Sequence, residues 1–340
     1  MSSAYIIFEH MEVQDANCIA GFTYGFPGIT HFLGFGHALS RKLFQSHHLQ
    51  LQDCAVICHQ HQIHAYQPKG FGDFVFAQSK NPPTTKAKAK ETPPIIEEGK
   101  MNMTVSLIME CQNFKISRQT EINALKQVLM ILAYQHRLAG GSIQRIEAVH
   151  IFTEEEGQAD NKLIRKIKRL LLPGFVLMDR SDLLAEHYQK LKQNLPDAEL
   201  IDAWLDFSAT KYQAEPKLKE GETEPSEHTQ AEWVLMDKPA KGWFVPITNG
   251  YKAISPVYSA GEVANVRDST YPVCFTEASH SIGEWRSLHR IQYIPDMLWQ
   301  YRHEQDWYLC QQGESATNEL GTSVSENTED NFEDDFLSSL

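Results

Sequence analysis

Apolar and polar positions alternate along Tyr5-Ile6-Ile7-Phe8-Glu9-His10-Met11-Glu12-Val13, the period of a half-buried strand. The pattern changes in FTYGFPGITHFLGFGHALSRKL, Phe22 to Leu43. Pro27 pushes Phe26 toward an extended conformation and suits the entrance of a helix, which places a strand-to-helix junction near Phe26 to Thr30. Beyond it Phe32, Phe35, Ala38, Leu39 and Leu43 recur at three- and four-residue intervals and form one buried stripe. Gly34 and Gly36 each cost about 1 kcal/mol inside a helix. Another backbone is therefore expected close to them, belonging either to the protein's own sheet or to a ligand.

Further strands are predicted over Asp53 to Tyr66, Asp73 to Gln78 and Lys100 to Gln112. Between the last two, Ser79 to Glu98 carries four prolines and the alternating lysines Lys86, Lys88 and Lys90, which reads as an exposed basic loop. Ser117 is the expected N-cap of a helix that buries Ile122, Leu125, Leu129 and Leu132 and ends at Gly140-Gly141, with Ser142 to Phe152 as the next strand. The order β-α-β-β-β-α-β, with one strand to spare, predicts an α+β, ferredoxin-like core of the RNA-recognition type over residues 1–152. Such a two-layer fold leaves one sheet face open.

A helical insertion is expected over 153–210, built from Asn161 to Leu172, Ser181 to Gln193 and Asp197 to Thr210. A charged linker (211–232), a β-rich part (233–312) and an acidic, disordered tail (313–340) complete the chain.

Composition changes little in this picture: 340 residues, 42% hydrophobic and 22% charged, describe an ordinary globular chain. No apolar run reaches the roughly 20 residues of a membrane span, and the N-terminal residues lack a secretory pattern, so a cytoplasmic protein is expected. Six scattered cysteines form no CxxC pair, and reduced thiols are the default. The charge matters more. Of the net −13, Glu314 to Leu340 contributes −8 and Ala214 to Glu232 contributes −4, so the remaining chain is close to neutral and has room for a basic groove.

Several constellations could carry chemistry. Cys58, His59, His61 and His64 are rich in metal ligands, but on one strand they divide between two faces and no three converge. His31 and His37 flank the helix glycines and could serve a ribonuclease as general base, although no second acid or cationic group is evident. No GxSxG, HExxH or GxxxxGK[ST] element occurs. In RLAGGSI, Arg137 to Ile143, the glycine turn beside Arg137 and Ser142 suits either a phosphate or an ordinary left-handed helix cap. Asn161 to Leu172 places Lys162, Arg165, Lys166, Lys168 and Arg169 opposite Leu163, Ile164, Ile167, Leu170 and Leu171. That basic face is either simply solvated or a phosphate contact.

Several blocks, in order, resemble the RAMP-superfamily subunit of the type I-F CRISPR surveillance (Csy) complex that binds the 5′ handle of the guide RNA. They are YGFPGITHFLGFGHAL (Tyr24 to Leu39), CHQHQIHAYQP (Cys58 to Pro68), IIEEGKMNMTVSL (Ile95 to Leu107), RLAGGSI, RLLLPGFVL (Arg169 to Leu177), GWFVPI, GYKAISPVY, GEVANVRD (Gly261 to Asp268), GEW and His289-Arg290. The resemblance implies a non-catalytic RNA-binding subunit with no metal or cofactor. Its expected partners are the guide-RNA handle, the large subunit, the first backbone subunit and, indirectly, target DNA, with no membrane. It assigns RNA contact to Arg137, Gly140, Gly141 and Ser142, and supports Tyr24, Phe26, Thr30, Arg165, Lys166, Arg169, Arg267 and Arg290 as further contacts. A metal-independent endoribonuclease of the same superfamily, with His31 or His37 as base, is the alternative, and a structural adaptor that never touches RNA is a third. The acidic tail and the Lys86 to Lys90 loop depart from the family's pattern.

Overall fold

Strand β1 (Ala4–Asn17) lies at the centre because it is apolar on both faces in its first half. The computed structural model describes residues 4–21, 23–80, 85–153, 160–217 and 229–313; Phe22 and the acidic tail lie outside them. After β1 come β2 (Ile19–Ala20), β3 (Thr23–Tyr24), α1 (Ile29–His47) and β4 (Gln50–Ile63). Two small ribbons follow, β5 (Ala65–Tyr66) with β6 (Val75–Phe76) and β7 (Gln78–Lys80) with β8 (Ile95–Glu97). Then come β9 (Lys100–Gln112), α2 (Gln119–Tyr134), β10 (Arg137–Leu138), β11 (Gly141–Arg145) and β12 (Ala148–Thr153). The middle of the chain supplies α3 (Asp160–Leu171), β13 (Phe175–Asp179), α4 (Ser181–Asn194) and α5 (Leu200–Ser208). Last are the ribbon β14 (Tyr212–Pro216) with β15 (Ala231–Leu235), and the strands β16 (Phe244–Ala253), β17 (Thr276–Ser287), β18 (Trp299–Glu304) and β19 (Trp307–Gln312).

The principal sheet is antiparallel: β11 and β12 pair with one edge of β1, β9 with the other, and β4 with β9. Helix α1 links β1 to β4, and α2 links β9 to the β10–β12 edge. The sheet continues from β4 through β13, β17, β16 and β19 to β18, which returns to β4 at Trp299 opposite Cys54 and closes a six-stranded ring. Trp299 is fully buried and its indole donates to the Leu177 carbonyl at 2.9 Å. The α4–α5 pair packs on β16 and β17 through Leu184, Trp204, Phe207 and Ile282.

Two apolar layers sandwich the upper half of β1. Ala4, Ile6 and Phe8 point into the cluster shared with α1 and α2, whereas Tyr5 and Ile7 point into the cluster built by Ile164, Ile167 and Leu171 of α3 with Leu288 to Leu298. The open sheet face expected of a two-layer fold therefore survives only in part, because α3 and the 288–298 segment cover the upper half of it.

Several expectations need local correction. Gly34 faces open space, and a Cβ at Gly36 would meet only the Met109 side chain at ordinary contact distance, so no second backbone approaches α1 there. Helix α2 starts one residue after Arg118 without a side-chain cap, and Ser117 does not cap it. It ends at Tyr134. Arg137 and Leu138 instead pair with Ser142 and Gly141, and Ala139 and Gly140, at φ 50° and 76°, form the tip of a two-residue hairpin. Ser142 to Phe152 is two strands, not one, with Ile146 and Glu147 between them. The stretch read as a linker, Lys211 to Glu232, is strand-paired at both ends, and the basic loop is closed by β7 and β8 with a 3-10 turn over Lys86–Lys88. Among the described residues no helix is long and apolar enough to cross a membrane.

Candidate nucleic-acid interface

Below the region covered by α3, β1 is bulged between Phe8 and Met11 and again between Val13 and Ala16. A bulge adds a residue and re-aims the side chains that follow it. Met11, Val13 and Ala16 stay buried, while Glu12, Gln14 and Asp15 are exposed. Strand β9 does the same by plain alternation: Met101, Met103 and Val105 face the α1–α2 layer, leaving Asn102, Thr104 and Ser106 on the other face. Opposite them on β4 stand Gln62 and Gln60, paired with Asn102 and Thr104. Glu12, Gln14, Gln60, Gln62, Asn102, Thr104 and Gln144 line a shallow groove on the uncovered half-face. Arg145 Nη1 meets Glu12 Oε1 at 3.3 Å and offsets the one acid in this floor.

The rim of the groove is the β10–β11 hairpin. Ser142 pairs with Gln14 and with Arg137, and cross-strand partners share a sheet face, so both exposed residues stand on the groove side. Arg137 Nη1 donates to the Gly140 carbonyl at 3.5 Å, and Asn17 N–H to that of Ala139 at 2.8 Å. The two glycines differ in kind. Gly140 is exposed with nothing within 4 Å of a would-be Cβ; a Cβ on buried Gly141 would lie 2.6 Å from the Gln14 carbonyl oxygen and 2.8 Å from the Ala16 nitrogen. Gly140 is accessible to a ligand. Gly141 is there so that the hairpin can lie against β1.

Above the groove two histidine rings stack, His10 on His59, with centroids 4.0 Å apart. His59 Nδ1 donates to the Pro173 carbonyl at 2.7 Å, which leaves Nε2 to accept from Ser106 Oγ at 2.8 Å. Burial, reinforced by the neighbouring His10 and opposed by the Pro173 carbonyl, lowers the His59 pKa to about 4. Cys58 is buried in the core and His64 lies 3.6 Å from Asp15, so the histidine-rich strand brings no metal-ligand set together by itself.

A second basic surface lies on α3. Ile164, Ile167 and Leu171 are buried; Lys162, Arg165, Lys166 and Arg169 are exposed. Lys168 is partly used, donating to the His289 carbonyl at 2.7 Å, and this contact brings the exposed Arg290 alongside the helix. Arg165, Lys166, Arg169 and Arg290 thus share one region. Arg267 does not join them, since it sits on the loop between β16 and β17, at the opposite end of β17 from Arg290. The opening stretch divides as well. Tyr24 is 59% exposed, with its ring edge against Phe76 at 5.2 Å. Phe26 is partly buried and engaged in packing, stacked on Phe32 at 5.6 Å and at a T-shaped angle to Trp285 at 4.9 Å. Thr30 accepts from the Tyr301 hydroxyl at 3.4 Å through its carbonyl. His31 Nδ1 donates to the Gly28 carbonyl at 3.1 Å, and His37 is exposed on α1.

The amide floor is the part that reading the sequence missed, although the polar series Asn102, Thr104, Ser106 between apolar neighbours is a visible signal.

Comparison with known proteins matches residues 6–310 to the family described as CRISPR-associated protein (Cas_Csy2). A CRISPR-associated protein Csy2 from Pseudomonas aeruginosa (strain UCBPP-PA14) is 35% identical over 312 residues, which cover 89% of this chain and 93% of that protein.

Proposed function

The chain belongs to the Csy2 family of CRISPR-associated proteins, and on that premise we propose that it is the subunit of a type I-F surveillance (Csy) complex that holds the 5′ handle of the guide RNA without cutting it. The observation that carries this reading is the uncovered, amide-lined half-face rimmed by Arg137 and Ser142. Single-stranded RNA is commonly bound on sheet faces, with phosphates held by Arg and backbone N–H groups and base edges read by amides. The strand order β12–β1–β9–β4 with both crossover helices on one face supports a ferredoxin-like core of the RAMP type. Arg137, Gly140 and Ser142 hold backbone phosphates, Tyr24 offers an exposed ring, and Arg165, Lys166, Arg169 and Arg290 supply a longer-range attraction. The large subunit and the first backbone subunit are its partners in the cytoplasm, and target DNA is reached only indirectly.

The test uses the assembled complex. A tagged chain co-expressed with the other subunits and a CRISPR array should retain guide RNA, and Arg137→Ala with Ser142→Ala should lower the RNA recovered per complex. Repeat RNA incubated with the purified chain should stay intact. A specific cut abolished by His37→Ala would establish the endoribonuclease reading instead, and full RNA recovery with the double variant would remove the hairpin from the interface.

A further inference from the structure

Above the groove, Glu9 and His10 of β1 and Glu147 from the turn between β11 and β12 come together around His10 Nδ1. His10 Nδ1 is buried and accepts or donates no hydrogen bond. Glu9 Oε1 lies 3.7 Å from it and Glu147 Oε2 3.9 Å, both too long for a hydrogen bond. One ligand atom from each of the three residues lies within 4.8 Å of the others. Two atoms bound to one small divalent ion at 2.0–2.2 Å would stand about 3.4 Å apart in a tetrahedral shell. The two separations from His10 exceed that by only a few tenths of an ångström, and the two carboxylates lie within 4.8 Å of each other.

The surroundings hold these groups in place. His10 has a left-handed backbone, φ 44°, fixed by its N–H donating to Ser106 Oγ at 2.9 Å, and its ring is clamped against His59. Glu9 is only 9% exposed, and its second oxygen accepts from His150 Nε2 at 2.7 Å. That is the outer hydrogen bond that orients a metal-binding carboxylate. Glu147 is tied through its N–H to the Glu9 carbonyl at 3.0 Å, and its side chain is half exposed, so the open side of the cluster faces solvent.

We propose that Glu9, His10 and Glu147 bind one first-row divalent cation, with the remaining coordination positions left to water or an incoming oxygen ligand. One imidazole with two carboxylates suits Mn2+ through Zn2+; Mg2+ favours an all-oxygen octahedron and dehydrates reluctantly. The site is independent of the RNA reading.

Titrating the full chain with MnCl2 and counting free Mn2+ by electron paramagnetic resonance tests it. The expected result is one saturable site per chain. Glu147→Gln, at an exposed position, and His10→Asn, which tolerates the left-handed backbone, should each weaken it at least tenfold, and His150→Gln about tenfold through Glu9. Absence of a saturable site to millimolar Mn2+ would overturn the proposal, leaving His10 as a plain ion-pair partner. So would a site untouched by Glu147→Gln, which would belong to other histidines. If His10→Asn fails to fold by circular dichroism, Glu147→Gln decides.

Discussion

Adding one methyl group to each glycine of the hairpin should give opposite results. At Gly140, with φ +76° and nothing within 4 Å, alanine meets no neighbour and bears only the left-handed backbone cost, about 1–2 kcal/mol. Stiffening of the unfolded chain returns about 0.4–1 kcal/mol, so Gly140→Ala should lose no more than about 1.6 kcal/mol. At Gly141 the methyl would sit 2.6 Å from the Gln14 oxygen and 2.8 Å from the Ala16 nitrogen. Both are backbone atoms of a central strand and have no rotamer by which to move. Overpacking of a well-ordered core costs about 1–3 kcal/mol, and here the β10–β11 pairing must shift as well, so Gly141→Ala should cost about 3 kcal/mol or more. Urea unfolding of both variants, with m unchanged for Gly140→Ala, gives the two losses from the midpoints. Equal losses, or a larger loss at Gly140, would refute the reading that Gly141 is a packing residue and Gly140 the accessible one.

Charged and titratable groups give three further expected outcomes. Arg165→Ala with Arg169→Ala should leave stability within about 0.5 kcal/mol, because both side chains are exposed, while the salt slope of RNA binding drops by about 0.7 for each phosphate that is no longer neutralised; an unchanged slope would make α3 a solvated face. The native His59 stays neutral down to about pH 4 whereas the unfolded chain takes up the proton near 6.5, so its stabilising contribution is present above 6.5 and falls by about 2–3 kcal/mol toward pH 4. Asp53, pushed up to about 6 mainly by burial and further by Glu110, works the other way in the same window, so His59→Gln should make the change in stability on acidification less unfavourable than in the wild type, as read by urea melts at pH 7, 5.5 and 4.5. Glu284 is 6% exposed and accepts from Arg180 and, at 2.9 Å, from Arg286, so Glu284→Ala should cost about 3 kcal/mol, the low end for breaking a buried pair, because the part-buried Arg180 keeps only the exposed Asp182 at 3.3 Å, as measured by thermal unfolding.

How much of the fold is legible in the sequence depends on how local the cause is. Strand β9 runs over the expected Lys100 to Gln112, and α1 begins just beyond Pro27, because alternation and proline chemistry are properties of the chain itself. Helix α3 is legible from its apolar stripe, but periodicity cannot say which surface a stripe covers, and α3 lies on the sheet face expected to be open. RLAGGSI misleads because Gly-Gly after a helical pattern is also a hairpin signal. Pairing of Ser142 with Gln14 on β1, more than a hundred residues away, decides between them. Phe26 looks like a stacking candidate in the sequence, and only the fold brings Phe32 and Trp285 against it. The Glu9–His10–Glu147 cluster is invisible for the same reason, since it depends on the bulge at His10 and on the turn between β11 and β12.

Whether the uncovered half-face and its hairpin rim meet the 5′ end of the guide is tested most directly by site-specific photo-crosslinking. 4-Thiouridine is placed at single positions of the handle in the reconstituted complex, and the linked peptides are identified by mass spectrometry. Crosslinks should fall on the segments containing Arg137 to Arg145 and Asn102 to Thr104, and should weaken with Arg137→Ala. Crosslinks confined to other subunits, or to α1 and α2 on the opposite face, would contradict it.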